Sequence, residues 1–363
     1  MNGFDEINLG FLRVWNFDKK KDDYIKDEVL KTKLEKIFAT HITHHGNVKN
    51  IGVIEITGNK FQPFTQKEIE LIQEARATLF LSFVSNNNTG ISNVNSGHRM
   101  ATSENFDVIY QNFTLDSDHV AETSGEIVRF SKAGYTLDKI RFLTPSFVPT
   151  PSNYTLDGEI FSELTYLKTH KPKIYRRIIN STQICMEGYY NSNHLSNKAR
   201  ILLFMSAFEA IFSIPETQQR KHFKRNIQAI SDLDGEKKYV SYWDKKTNPK
   251  SLEYLSKKGI WAEKFYRLRN SIVHGDKVKL SNFNFEKWQS HIDIALLFFV
   301  LAVKKQFEKS RRGYFCDYEI KWEEYTDNIS FPTPRKLKAF VYRSSSRRLF
   351  NKLLKRAGNR KII

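Results

Sequence analysis

WAEKFYRLRNSIVHG, residues 261–275, carries the pattern on which the fold of this chain turns. Its apolar positions, Trp261, Phe265, Leu268 and Ile272, recur at spacings of 4, 3 and 4, the period of a helix with one buried face. Gly275 is placed to end that helix as a C-cap, because glycine takes the left-handed conformation without penalty. Arg269 lies four residues after Phe265 and three before Ile272, so it points along the apolar stripe and needs a partner there. His274 follows five residues later, about 140° further round the helix. Asn270 lies beneath His274 at i, i+4. The last turn, which holds His274, is where the helix dipole favours a protonated imidazole.

Working outward, SNKARILLFMSAFEAIFSI (196–214) has Ser196 as N-cap and Pro215 just beyond its end. Leu202, Met205, Glu209 and Phe212 recur at helical spacing, so Glu209 interrupts an apolar stripe and also needs a partner. Arg269 is the natural one, giving one inward charge on each of two helices. An ion pair that only orients helices would leave the same pattern. KPKIYRRIINSTQICMEGYY (171–190) opens with a proline suited to a first turn, ETQQRKHFKRNIQAISDL follows 196–214, and FEKWQSHIDIALLFFVLAVKKQFEK (285–309) closes the set. Four or five helices with short links suggest a bundle. Its most buried helix would hold the apolar run 294–303, which falls short of the roughly 20 residues a bilayer requires. Lys221, His222, Lys224 and Arg225, with Phe223 among them, read as a solvated basic face that is also able to touch RNA.

The preceding part reads differently. IGVIEIT (51–57), FDVIYQNF (106–113) and GEIVRF (125–130) are rich in β-branched and aromatic residues with partial alternation. QKEIELIQEARATLFLSF (66–83) starts as a helix with Thr65 as N-cap and Glu68 three residues on. TPSFVPTPSN (144–153), with three prolines in seven residues, is the candidate boundary loop, and SNNNTGISNVNSG (85–97) reads as a loop without a phosphate-binding pattern. The fold class expected is α+β: a β-rich sensor or regulatory domain over 1–165, an all-α helical domain over 166–310 and a basic extension over 311–363.

The whole chain has 363 residues and a mass of 42.6 kDa, enough for two cores. Two cysteines, Cys185 and Cys316, exclude a disulfide framework and a cysteine-rich zinc site. His41, His44 and His45 cluster without a nearby cysteine or carboxylate and read as structural or surface residues. No signal peptide and no spanning segment is evident, so a cytoplasmic protein with no membrane partner is expected. Net charge is +18, split as −5 over residues 1–167 and +23 over 168–363. Such asymmetry points the second half at a polyanion, with RNA the leading partner. Residues 335–363 carry 11 Lys and Arg and no acid. Arg343, Arg347, Arg348, Lys352, Lys355 and Arg356 are the RNA-binding candidates there, with a solvated tail the alternative.

The segment RNSIVHG, with an arginine, a polar residue, three more residues and then a histidine, resembles the signature of the HEPN superfamily. SAFEAIFS, which contains Glu209, resembles the second helix of those domains. In its helical setting the match is most similar to the ApeA-like HEPN branch of bacterial defence proteins, and it covers roughly residues 170–310. The first 165 residues match no motif.

The resemblance implies an all-α bundle that dimerises and sets two such motifs across a shared cleft. It implies a metal-independent RNA endonuclease, with no cofactor, in which the 2′-hydroxyl attacks the adjacent phosphate. His274 would then act in acid–base chemistry, Arg269 would hold the scissile phosphate, and Asn270 would orient either of them. Glu209 would hold Arg269. The setting implied is antiviral abortive infection, with a phage-derived or protein trigger at the first domain. Two alternatives stand beside it: a nuclease-inactive module that binds RNA or protein, and an antitoxin or scaffold partner of a nucleotidyltransferase.

Overall fold

The computed structural model describes residues 6–8, 12–39, 41–43, 46–47, 52–56, 65–86, 103–106, 109–112, 121–124, 127–129, 140–141, 156–190, 195–230, 239–240, 254–286 and 289–310. The tail candidates Arg343, Arg347, Arg348, Lys352, Lys355 and Arg356 lie outside these residues, as do Cys316, His44, His45 and the loop 144–153. The fold is of the α+β class, with most described residues in helices. The described residues divide between Ile160 and Phe161 into two compact units.

In the first unit, β1 (Glu6–Asn8), β2 (Leu12–Asn16) and β5 (Gly52–Ile56) form an antiparallel sheet in the order β1-β2-β5, with Leu12 opposite Ile56 and Trp15 opposite Val53. Successive side chains of β2 serve opposite faces. Leu12 packs with Ile56 and with Ile72 and Ala75 of the helix α3 (Gln66–Asn86). Trp15 packs with Phe17, Ile25 and Leu30, at and between the helices α1 (Phe17–Tyr24) and α2 (Glu28–Ala39). Glu55 on β5 ties the sheet laterally. It pairs with Arg13 at 2.7 Å and accepts from the Trp15 indole at 3.1 Å. Two further small sheets join β3 (His41–Thr43), β4 (Gly46–Asn47) and β9 (Ile140–Arg141), and β6 (Ile109–Asn112), β7 (Ala121–Ser124) and β8 (Ile127–Arg129).

Among its described residues this unit is mixed, where a β-rich domain was expected: its helices α1 to α3 run for 8, 12 and 21 residues, while no described strand exceeds five. α1, α2 and the link between them pack Phe17, Ile25, Leu30 and Leu34 about Trp15, and ion pairs add to this. Lys21 reaches Glu35 at 2.6 Å, and Lys20 reaches Asp23 at 3.2 Å within one helical turn. The start of α3 is as expected. The Thr65 N–H donates to Glu68 at 2.7 Å, and the Glu68 N–H donates back to the Thr65 hydroxyl at 3.3 Å, a closed capping box. Near the other end of α3, Ser82 and Ser85 donate to Asp157, whose carboxylate also accepts the Glu159 N–H at the start of α4 (Gly158–His170).

The second unit is a helical bundle. Its described residues include α4 from Phe161 on, α5 (Pro172–Gly188), α6 (Asn197–Phe212), α7 (Gln219–Gln228), α8 (Lys257–Val273) and α9 (His291–Ser310), with short hairpin pairs β10 (Tyr239–Val240) with β11 (Tyr254–Leu255), and β12 (Asn284–Glu286) with β13 (Gln289–Ser290). Pro172 stands at the first position of α5, and the Ser196 hydroxyl accepts the Ala199 N–H to start α6. Two starts differ from the periodicity. α8 begins earlier, capped by Ser256 on the Gly259 N–H at 3.2 Å. α9 begins at His291 and not at 285, because Ser290 accepts the Ile292 N–H at 3.1 Å and the residues before it enter β12 and β13.

α6 is the central helix, packed against α5, α7, α8 and α9. Gly188 lets α5 approach it closely, since a Cβ there would lie 3.1 Å from the Phe204 ring. Phe208 of α6 sits among the rings of Phe223, Trp261, Phe265 and Phe299, with centroids 5.3 to 6.3 Å away. This aromatic centre draws on α6, α7, α8 and α9, and edge-to-face contacts add to its burial energy. Cys185 is buried and free, and burial pushes its thiol well above the usual range. Among the described residues no helix is long and apolar enough to cross a membrane.

Candidate active site

The site is built where α6 and α8 meet. The face of α6 that turns inward carries Ile201, Phe204, Met205, Phe208 and Ile211, while Leu202, Glu209 and Phe212 are only half-buried. The inward stripe is thus rotated from the expected one, and Glu209 stands at its edge. On α8, Trp261, Phe265 and Leu268 are buried, while Arg269 and Ile272 are half-buried. Arg269 therefore also stands at an edge, the one facing Glu209.

The two charges meet there. Arg269 Nη2 lies 3.8 Å from Glu209 Oε1, with 24% and 25% of the two side chains exposed. The contact is an ion pair without a hydrogen bond, because Glu209 Oε1 is buried and accepts from no donor among the described residues. Burial pushes the Glu209 carboxyl above its ordinary value, and Arg269 opposes that shift only in part. The Arg269 Nη1 donates to Asn270 Oδ1 at 3.1 Å. The Tyr266 ring lies 5.8 Å from the guanidinium carbon, three residues back on the same helix.

Asn270 therefore serves Arg269 with its side chain. It meets His274 through the backbone, where the His274 N–H donates to the Asn270 carbonyl at 2.9 Å. His274 is the residue at the C-cap, and Gly275 follows it at φ +74°. The Gly275 N–H donates to Ile272 and the Asp276 N–H to Ser271, the pair of bonds that closes a Schellman motif. Gly275 thus lies one step beyond the position expected for it. A residue with a Cβ there would be strained in the left-handed region. The turn holds the His274 backbone while leaving its imidazole exposed.

Arg269, Asn270 and Glu209 are brought together, and His274 projects from the end of the same helix. Tyr266 escaped the reading of the sequence, although its position three before Arg269 puts it on the same face. Its hydroxyl donates to Gln219 of α7 at 3.4 Å. Burial raises the Tyr266 phenol above its ordinary value, with Arg269 and Arg220 opposing and Glu209 adding. Gln219 and Arg220 thus belong to the neighbourhood, a link across 47 residues that no local pattern announces. Elsewhere in the bundle, burial holds His291 down at about 3 and pushes Asp293 up to about 6. No group of three or more His, Cys, Asp or Glu side chains able to hold a metal ion occurs among the described residues. The comparisons with known proteins are empty: no family model, no curated protein and no solved structure matches the chain.

Proposed function

We propose that the second unit is an RNA endonuclease of the HEPN type, acting without a metal ion, and that the chain serves antiviral abortive infection in the cytoplasm. The observation that carries this reading is the half-exposed Arg269, held by Glu209 at 3.8 Å and Asn270 at 3.1 Å, with an exposed His274 at the end of the same helix. A guanidinium fixed at an edge is poised for a phosphate, and an exposed imidazole is free to move a proton. Arg269 would bind the scissile phosphate and stabilise the charge that develops on it. One imidazole would take the proton of the 2′-hydroxyl as its oxygen attacks phosphorus. A second would give a proton to the departing 5′-oxygen, leaving a cyclic phosphate and a 5′-hydroxyl.

One chain supplies a single motif, so this chemistry requires a homodimer in which a two-fold axis brings two copies of His274 to one cleft. The strongly basic second half suits an RNA substrate, and the tail bearing Arg347, Lys352 and Arg356 would add phosphate contacts. The first unit would sense a phage-derived or protein trigger. The test is incubation of purified protein with total RNA in EDTA. Wild-type protein should cut, and His274→Ala and Arg269→Ala should not, while keeping the helical signal in circular dichroism. Cutting by both variants at the wild-type rate would refute the assignment. A strict monomer that binds RNA without cutting it would favour the nuclease-inactive module.

A further inference from the structure

Arg269 carries the charge on which the proposed chemistry turns, and two of its contacts run through its terminal nitrogens. Nη1 donates to Asn270 Oδ1 at 3.1 Å, and Nη2 lies 3.8 Å from Glu209 Oε1 without a hydrogen bond. Two such contacts leave the guanidinium free to tilt about the line that joins them. A third contact comes from Tyr266. The guanidinium carbon lies over the Tyr266 ring, 5.8 Å from its centre, within the roughly 6 Å over which a ring face attracts a cation. This attraction acts on the charge and uses none of the N–H donors. Nη2 donates no hydrogen bond among the described residues, so its hydrogens stay available to a phosphate.

The ring is itself held. Tyr266 is 8% exposed and sits where α7 packs on α8. The Phe223 ring lies 6.4 Å away, and Gln219 accepts the Tyr266 hydroxyl at 3.4 Å. Burial raises the phenol above its ordinary value, so it stays neutral at working pH and does not pair with Arg269 as an anion. A carboxylate at the same place would hold Arg269 but would also compete with a phosphate for it. We infer that Tyr266 is a positioning residue: its ring fixes the Arg269 guanidinium at the edge of the bundle and leaves the N–H donors to the scissile phosphate. The inference rests on the proposed nuclease reading and adds a residue that the Arg269–His274 motif does not contain. It gives the i, i+3 spacing of Tyr266 and Arg269 a purpose beyond helix stability.

The experiment compares the full wild-type chain with Tyr266→Leu, Tyr266→Phe and Phe299→Leu. Tyr266→Leu keeps an apolar side chain and removes the ring, while Tyr266→Phe keeps the ring and gives up only the hydroxyl. Tyr266→Met is carried beside Tyr266→Leu in case leucine unsettles the packing. Phe299→Leu removes a ring 6.2 Å from Phe208, on a helix that carries none of the site residues, and so weakens the bundle alone. The first readout is the Nε–Hε resonance of Arg269 in isotope-labelled protein, identified by its absence in Arg269→Lys. The ring current of Tyr266 displaces this resonance, so it should move in Tyr266→Leu and hold its place in Tyr266→Phe and Phe299→Leu. The second readout is RNA cleavage in EDTA. Tyr266→Leu should lower kcat by about tenfold or more with KM little changed, because small displacements of a positioned group are costly to rate. Tyr266→Phe should restore kcat to near the wild-type value, and Phe299→Leu should lower only the urea midpoint. Equal losses of kcat in Tyr266→Leu and Tyr266→Phe, a matching loss in Phe299→Leu, or an unmoved Arg269 resonance in Tyr266→Leu overturns the inference. If wild type cuts and Tyr266→Leu cuts as fast, the positioning role is lost and the nuclease stands. If wild type does not cut, the nuclease is lost and the Arg269 resonance decides whether the ring holds the guanidinium.

Discussion

Replacing Glu209 with glutamine should leave the protein as stable as wild type, or slightly more so, while lowering its activity. At 3.8 Å the attraction between Glu209 and Arg269 is about 4 kcal/mol for an effective dielectric constant of roughly 20. Against it stands the loss of hydration on burial, several kcal/mol per ion in partly closed sites. The shift at Glu209 tells which side wins: burial raises its proton affinity more than Arg269 lowers it. A carboxyl raised on folding contributes stability that is present below its ordinary value of 4.5 and lost as pH rises through the folded value. At neutral pH the charged form is therefore no net gain, and Glu209→Gln should change unfolding free energy by no more than about 1 kcal/mol. The wild-type protein alone should gain stability relative to this variant as pH falls from 7 to 4. RNA cleavage should fall, since a neutral amide no longer orients Arg269. Urea unfolding at several pH values, with cleavage rates beside it, tests both halves. A loss of 3 kcal/mol or more at pH 7, the range for breaking a truly buried pair, would refute the argument.

Phe208→Ala should cost about 3–5 kcal/mol in urea unfolding, because it empties the centre of an aromatic cluster shared by four helices; a cost under 1 kcal/mol would show that the bundle closes over the gap. His291 is 2% exposed among Trp261, Phe265 and Phe285, and its Nδ1 has no hydrogen-bond partner among the described residues. Burial, with Lys264 adding, lowers it from 6.5 to about 3, so its stability is present above pH 6.5 and is lost as pH falls towards 3, about 2 kcal/mol by pH 5. Asp293, raised to about 6 by burial against Arg200, works the other way and returns about 1 kcal/mol between pH 6 and 5. His291→Leu should therefore gain stability on acidification from pH 7 to 5, and Asp293→Asn should lose it more steeply than wild type; parallel profiles for all three proteins would exclude this compensation.

The parts of this protein legible in its sequence are those settled within a few residues. The Thr65–Glu68 box, the Ser196 cap and Pro172 at the head of α5 each satisfy backbone groups one turn away, so residue identity at fixed spacing decides them. The division of charge between the two halves, and the pairing of Glu209 with Arg269 implied by two lone charges on apolar helices, were readable on the same terms. Rotation of each helix about its axis was not. α6 offers two overlapping apolar stripes, one through Leu202 and Phe212 and one through Ile201, Phe208 and Ile211, and only packing against α5, α7, α8 and α9 selects the second. That choice moves Glu209 and Arg269 from the interior to an edge, where about a quarter of each side chain stays exposed. The helices α1 and α2 escaped notice because they are short and rich in charged residues, with Phe17 and the Leu30–Leu34 pair packing against Trp15 only once the sheet has formed. The bond from Tyr266 to Gln219, and with it the approach of the basic helix α7 to the motif, spans 47 residues and exists only once the bundle has closed, since no spacing rule reaches across separate helices.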